Sequence, residues 1–262
     1  MKLKKLWKNK ILAGTLCAAV LCSGFSMVSF AKTDGGDKIF AGNTSVKNLF
    51  SAEKDYTQYV DPFVATAVDN GQQFPGAVSP YGIVKLSPDT YPHVNDDHAG
   101  YDYNASKIAG FSHTRIEGVG GQGAGGDVLV TPTYVEYTKK PTMDSRAQSF
   151  SHEKESATAG CYSVELTPNT GTDTAKQDTS FGNIQAELTS TTRTGFHKYT
   201  FPKEGRVSLV TDLNYTYHGM DIRDAKLDVS KTKDGRAVLS GRFSGKNVSG
   251  HGKYTMYFYM ET

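Results

Sequence analysis

From Tyr59 to its last residue this chain holds no window with a sustained 3.6-residue apolar period, whereas short alternating runs recur between turn signals. A half-buried strand needs an apolar residue at every second position, and an amphipathic helix needs one at every third or fourth. The pattern predicts an all-β chain, with strands over residues 128–131, 134–138, 161–166, 184–191, 196–201, 207–212, 225–230 and 237–243. The closing run, 254–260, reads as one more. Asp234-Gly235 tolerates the positive φ of a tight hairpin, and Arg193-Thr194-Gly195 is placed to turn the 184–191 run back on 196–201. So many strands, separated by turns and with prolines mostly in the links, favour a two-sheet antiparallel β-sandwich.

Residues 1–31 form a separate object. Lys2, Lys4, Lys5, Lys8 and Lys10 precede an apolar run over 11–30 that closes on Ser29-Phe30-Ala31, the three-part pattern of a cleaved export signal. Gly14, Thr15, Ser23, Gly24 and Ser26 dilute the run, against a membrane anchor, and Cys17 and Cys22 each follow a leucine where a lipid-anchor signal wants a small residue. The chain is therefore expected to be secreted, with no membrane role after cleavage. Removing the five leader lysines leaves 24 Lys+Arg against 27 Asp+Glu, near −3, so no basic surface for nucleic acid is indicated. Only Cys161 survives cleavage, which excludes an intrachain disulfide. Residues 32–57, rich in Gly, Ser, Thr, Asn and Lys, read as a flexible linker, and 58–262 as the folded domain.

Several motifs carry both a chemical and a plain reading. Gly118-Val119-Gly120-Gly121-Gln122-Gly123 has GxGxxG spacing, but it runs on into an expected strand instead of a helix, so the context of a dinucleotide turn is missing. His93, Asp96, Asp97 and His98 have the chemistry of a zinc or calcium site, of a sugar-hydroxyl contact or of a solvated turn. His113 and Arg115 could grip a ligand or tie down their loop. Asp89, Asp96, Asp97, Glu117 and Asp127 supply carboxyls, yet no spacing singles out the pair a glycosidase needs. Asn43, Asn104, Asn214 and Asn247 each begin an Asn-x-Ser/Thr triplet, which matters only in a host that glycosylates. The single tryptophan, Trp7, lies in the leader, so any stacking on a sugar ring falls to Tyr or Phe.

The densest run of glycine, proline, aromatic and polar residues is Phe74-Pro75-Gly76-Ala77, then Ser79-Pro80-Tyr81-Gly82, Ser87-Pro88-Asp89-Thr90 and Gly110-Phe111-Ser112-His113-Thr114, read here as functional loops. With Val60-Asp61-Pro62-Phe63, Gly100-Tyr101-Asp102-Tyr103, Gly126-Asp127-Val128-Leu129, Phe150-Ser151-His152-Glu153 and Gly160-Cys161-Tyr162-Ser163-Val164 in the same order, the chain resembles the N-terminal domain of glycoside hydrolase family 92, the secreted calcium-dependent exo-α-mannosidases. The resemblance implies a β-sandwich packed against a C-terminal (α/α)6 barrel, in cis or as a separate chain, with a mannose site between them. It implies that the general acid, the base and the calcium ligands come chiefly from that barrel, and that the sandwich, here expected to lack its last strands, lends loop residues to the sugar pocket. The positions carried over as substrate-binding are Phe74, Gly76, Asp96, Asp97, His98 and His113; no catalytic or metal-binding residue is carried over. At Asn95 the chain departs from the many family members that hold tryptophan. A stand-alone carbohydrate-binding module and a non-catalytic subunit of a split mannosidase are the alternative functions.

Overall fold

The computed structural model describes residues 54–67, 73–92, 99–115, 125–135, 137, 139–169, 182–216, 224–246 and 252–262. The chain divides into units Met1–Asp55 and Tyr56–Thr262, and every strand belongs to the second. The leader, nearly all of the linker, the GxGxxG run, the 93–98 stretch, Glu117, Asn43 and Asn247 lie outside the described residues.

The strands in chain order are β1 (Ala77–Val78), β2 (Lys85–Tyr91), β3 (Lys107–Ser112), β4 (Leu129–Thr133), β5 (Gln148–Ser149), β6 (Glu155–Thr158), β7 (Cys161–Leu166), β8 (Ile184–Ser190), β9 (Gly195–Thr200), β10 (Ser208–Asp212), β11 (Asp224–Lys231), β12 (Ala237–Lys246) and β13 (Lys253–Glu261). One four-residue α-helix, α1 (Met143–Arg146), is capped by Thr142, whose hydroxyl accepts from the Ser145 amide. The first sheet runs β1-β2-β3-β4-β10 with β5 on β3, the second β6-β7-β8-β9, the third β11-β12-β13, and every pairing is antiparallel. This is the expected all-β sandwich.

Alternation places the core. On β7, Tyr162, Val164 and Leu166 point inward, and on β8 Ile184, Ala186 and Leu188 do so. They meet Leu86 of β2 with Ile108 and Phe111 of β3, so the two sheets share one apolar layer. Each fully buried Leu or Ile there contributes about 2 kcal/mol. Phe111 lies 6.4 Å from Tyr162 and 6.0 Å from Tyr199, ring to ring, which fixes the sheet spacing through tilted aromatic contacts.

Three expectations are corrected. Ser87 to Thr90 and Gly110 to Ser112 are strand, within β2 and β3, and not loop. Pro88 fits in β2 because β1 reaches only Lys85 and Leu86, so the missing N–H leaves no ladder bond unmade beside β1. Tyr134 and Val135 follow β4 without strand structure, because the Tyr134 ring turns into the core to meet Phe201 at 5.0 Å. Gly195 opens β9 instead of forming the turn; a Cβ there would sit 3.1 Å from the His113 ring and 3.2 Å from Leu86. At the Asp234-Gly235 hairpin the reading holds: Gly235 has φ +92° and closes the turn onto the Thr232 carbonyl.

Candidate functional site

Among the described residues, Asp89 of β2 and Arg115 beyond the end of β3 hold one end of the first sheet together, with Phe74 against the guanidinium and Gly76 against β2. Arg115 and Asp89 are both fully buried side chains. The Arg115 guanidinium donates to both Asp89 carboxylate oxygens, at 3.1 and 3.2 Å, to the carbonyls of Ala99, Ser87 and Pro88, and to the Ser112 hydroxyl. A two-pronged pair whose terminal nitrogens are all bonded is the condition under which a buried ion pair survives its desolvation, and here only the Arg115 Nε is left without an acceptor. Its cation also stands 5.3 Å from the centre of the Phe74 ring, so Phe74 is held by Arg115. Gly76 lies against β2 so closely that a Cβ would be 2.2 Å from the Leu86 carbonyl oxygen and 2.3 Å from Ser87 Cβ.

Asp96, Asp97 and His98, with His93 and Asn95, lie outside the described residues. Where that stretch rejoins the described chain, Ala99 is fixed by Arg115 and the Gly100 carbonyl accepts from the Thr90 amide.

His113 is buried in a chain of hydrogen bonds between the two sheets. Its Nδ1 is 2.8 Å from the Val128 carbonyl and its Nε2 is 3.0 Å from Nε2 of His197. A carbonyl can only accept, so His113 donates from Nδ1 and its Nε2 is left to accept from His197; His197 Nδ1 then accepts a hydrogen bond from the Tyr199 hydroxyl at 2.7 Å. Every link requires a neutral imidazole. Burial is the main reason that His113 is brought down to about 4, with Arg115 adding to it and the Val128 bond opposing. Burial and then His113 push His197 well below its ordinary value. The accepting carbonyl belongs to Val128, a β-branched residue at φ +56°.

Two more carboxyls are enclosed. Asp127 accepts from Thr114 at 2.6 Å and from the Tyr254 hydroxyl of β13 at 3.0 Å; burial raises it, and those two bonds oppose the rise. Glu155, its side chain 1 % exposed, accepts from Tyr101, Tyr162 and Nδ1 of His152. The His152 ring stacks on Tyr103 at 3.9 Å. None of these groups was marked by local spacing: Glu155 meets Tyr101 54 positions away, and His197 meets His113 84 away.

The surface residue that sequence reasoning quoted but did not select is Tyr81. It is fully exposed, at φ +56°, on the turn that Gly82 closes onto Ser79, beside the largely exposed Ile83. Ile83 is tied to the β8–β9 turn by its bond to the Thr192 carbonyl. A non-glycine residue at positive φ with its ring in water is an uncommon arrangement, and such strain concentrates at functional turns. Among the described residues there is no group of three or more His, Cys, Asp or Glu able to hold a metal.

Two facing antiparallel sheets, a buried polar layer at one end and an aromatic turn projecting beside it define a β-sandwich domain with a built loop surface. Residues 59–262 match the family model described as the glycosyl hydrolase family 92 N-terminal domain. The chain belongs to that family. It is similar to a solved family 92 glycosyl hydrolase, ccman5, with 40 % identity and a TM-score of 0.70 over 78 % of this chain and 26 % of that one. A family 92 α-mannosidase from Bacteroides thetaiotaomicron, solved with mannoimidazole, shows 29 % identity and a TM-score of 0.63 over 78 % and 24 %. A curated relative from Arthroderma benhamiae, named an uncharacterized secreted glycosidase, is 27 % identical over 192 residues, 70 % of this chain and 22 % of that protein. The chain thus spans about a quarter of the length of these relatives.

Proposed function

We propose that this chain is the carbohydrate-contacting N-terminal domain of an exported exo-α-mannosidase and that alone it does not hydrolyse mannosides. The observation that carries the reading is the fate of three enclosed carboxyls among the described residues. Glycoside hydrolysis needs an acid and a base, or an acid and a nucleophile, open to the sugar on opposite sides of the bond. Asp89 is taken by Arg115, Asp127 by Thr114 and Tyr254, and Glu155 by two tyrosines and a histidine. A carboxyl so enclosed has no face for a glycosidic oxygen or an attacking water.

The remaining chemistry is recognition. Tyr81 offers an apolar ring face and a hydroxyl to a mannose-containing glycan, which is how an aromatic with one wet end contributes binding. Phe74, Gly76, His113, Asp96, Asp97 and His98 are proposed as the further sugar-contacting positions. The partner is the C-terminal barrel the family resemblance implies, in cis or as a separate chain, and the calcium of the whole enzyme belongs with it. Export rests on the leader composition and on the curated relative's name as a secreted glycosidase; among the described residues no helix is long and apolar enough to cross a membrane.

The test is a pair of measurements on the full chain: release of mannose from an aryl α-mannoside with and without calcium, and titration with a mannose-terminated oligosaccharide. No turnover with weak, Tyr81-dependent binding is expected. Measurable turnover in either condition would refute the proposal.

A further inference from the structure

Phe74 is held from two sides. Its backbone runs on into Pro75, which is buried, and Gly76, which lies against the Leu86 carbonyl and Ser87 of β2. Its half-buried ring has the Arg115 guanidinium carbon 5.3 Å from its centre. The χ2 torsion of a phenylalanine is broad and two-fold, so a ring beside a strand end keeps its freedom unless a neighbour removes it. Arg115 is placed to remove it.

The guanidinium cannot follow the ring, because three separate stretches of chain fix it. β2 supplies the Ser87 and Pro88 carbonyls and both Asp89 carboxylate oxygens, β3 supplies the Ser112 hydroxyl at 3.1 Å, and the Ala99 carbonyl accepts at 2.7 Å. The side chains of Arg115 and Asp89 are fully buried, so water does not compete for these bonds. A guanidinium can bond along its edge and still present a flat face to an aromatic ring, whereas the compact ammonium of lysine has no such face. A side chain that must be immobilised when a ligand arrives weakens binding, and one already fixed does not.

We propose that Arg115 is a positioning residue for glycan recognition, which touches no sugar itself and keeps the Phe74 ring in the orientation that meets the mannose-containing glycan. Phe74 enters as a sugar contact of the proposed function, on which this inference rests.

The test is titration of the full chain with a mannose-terminated oligosaccharide, alongside urea unfolding. The variants are Phe74→Leu, Arg115→Lys, the pair Arg115→Met with Asp89→Leu, and the triple that adds Phe74→Leu to that pair. Removing both members of the ion pair strands no charge, so much of the wild-type stability is expected to return in the pair variant. Its affinity should nevertheless fall roughly two- to tenfold, which is what ordering one freed side chain on binding takes away. Arg115→Lys keeps a charge beside Asp89 but offers the ring no plane, and the same loss is expected of it. Phe74→Leu should weaken binding at least as much, since the ring itself is gone. The triple should then bind as Phe74→Leu does, because an arginine acting through the ring has nothing left to act on. Wild-type affinity in Phe74→Leu or in either Arg115 variant, or losses that add in the triple, would overturn the proposal. Binding that depends on Tyr81 and ignores Phe74 and Arg115 sinks this inference and spares the proposed function, whereas a wild type that binds no oligosaccharide sinks both.

Discussion

Acidification should unfasten this domain through the paired imidazoles between its sheets. In the unfolded chain His113 gains a proton near its ordinary 6.5, whereas in the fold it stays neutral down to about 4. Below 6.5 the unfolded state therefore binds more protons than the folded one, and stability falls as pH falls. Each pH unit inside that window costs about 1.4 kcal/mol for one such group, so from 6.5 to about 5 His113 alone removes about 2 kcal/mol. His197 is shifted in the same direction and adds to the slope. Asp127 acts the other way: its raised folded value gives stability that is fully present below 3.8 and is lost as pH rises through that folded value. The histidine slope is therefore cleanest in the upper part of the window. Urea unfolding of the full chain between neutral pH and about 5 measures it, and a His197→Phe variant should show a shallower dependence because one titrating group is gone. A flat stability over that range, or an NMR titration placing the His113 ring near 6.5 in the fold, would refute the neutral relay.

Other perturbations separate fastening from recognition. Arg115→Met strands the Asp89 carboxylate in a dry site and should cost about 3–5 kcal/mol in urea unfolding, while adding Asp89→Leu should recover much of that loss. Gly76→Ala drives a methyl group into the Leu86 carbonyl and Ser87, and a fall in thermal midpoint corresponding to roughly 1–3 kcal/mol is expected. Tyr81→Gly should leave stability unchanged or raise it by up to about 1 kcal/mol, since glycine accepts the positive φ without strain, yet it should abolish oligosaccharide binding in the same titration.

How far the molecule is legible in its sequence depends on whether a residue's partner is local. β7 and β8 alternate cleanly, and their readings coincide with the strands to within a residue, because apolar side chains declare their face by themselves. The Asp234-Gly235 hairpin is equally local. β2 is not: Lys85-Leu86-Ser87-Pro88-Asp89-Thr90-Tyr91 holds Ser, Pro and Asp in a row, a loop composition, yet it is strand, with Arg115, 26 positions on, pairing the buried Asp89 carboxylate and donating to backbone carbonyls. Likewise the histidine pair joins β9 to the end of β3 across 84 positions. No periodicity carries such information.

That same distinction bears on what polar loops mean in a carbohydrate-processing family. Acids, histidines and arginine near a sugar-facing edge invite assignment as ligands, but a β-sandwich with polar residues inside its strands must satisfy each of them or lose more than a hydrogen bond is worth. Here Asp89, Asp127, Glu155, His113 and Arg115 bond to one another, to tyrosine and threonine neighbours and to backbone carbonyls, leaving the Arg115 Nε and the Ser87 hydroxyl as exceptions. The Tyr81 ring, by contrast, is fully exposed. It is held in water on a strained turn where burial would have been the cheaper course for its apolar surface. The enclosed acids Asp89, Asp127 and Glu155 thus serve the architecture, and the proposed recognition surface is the aromatic face that it presents.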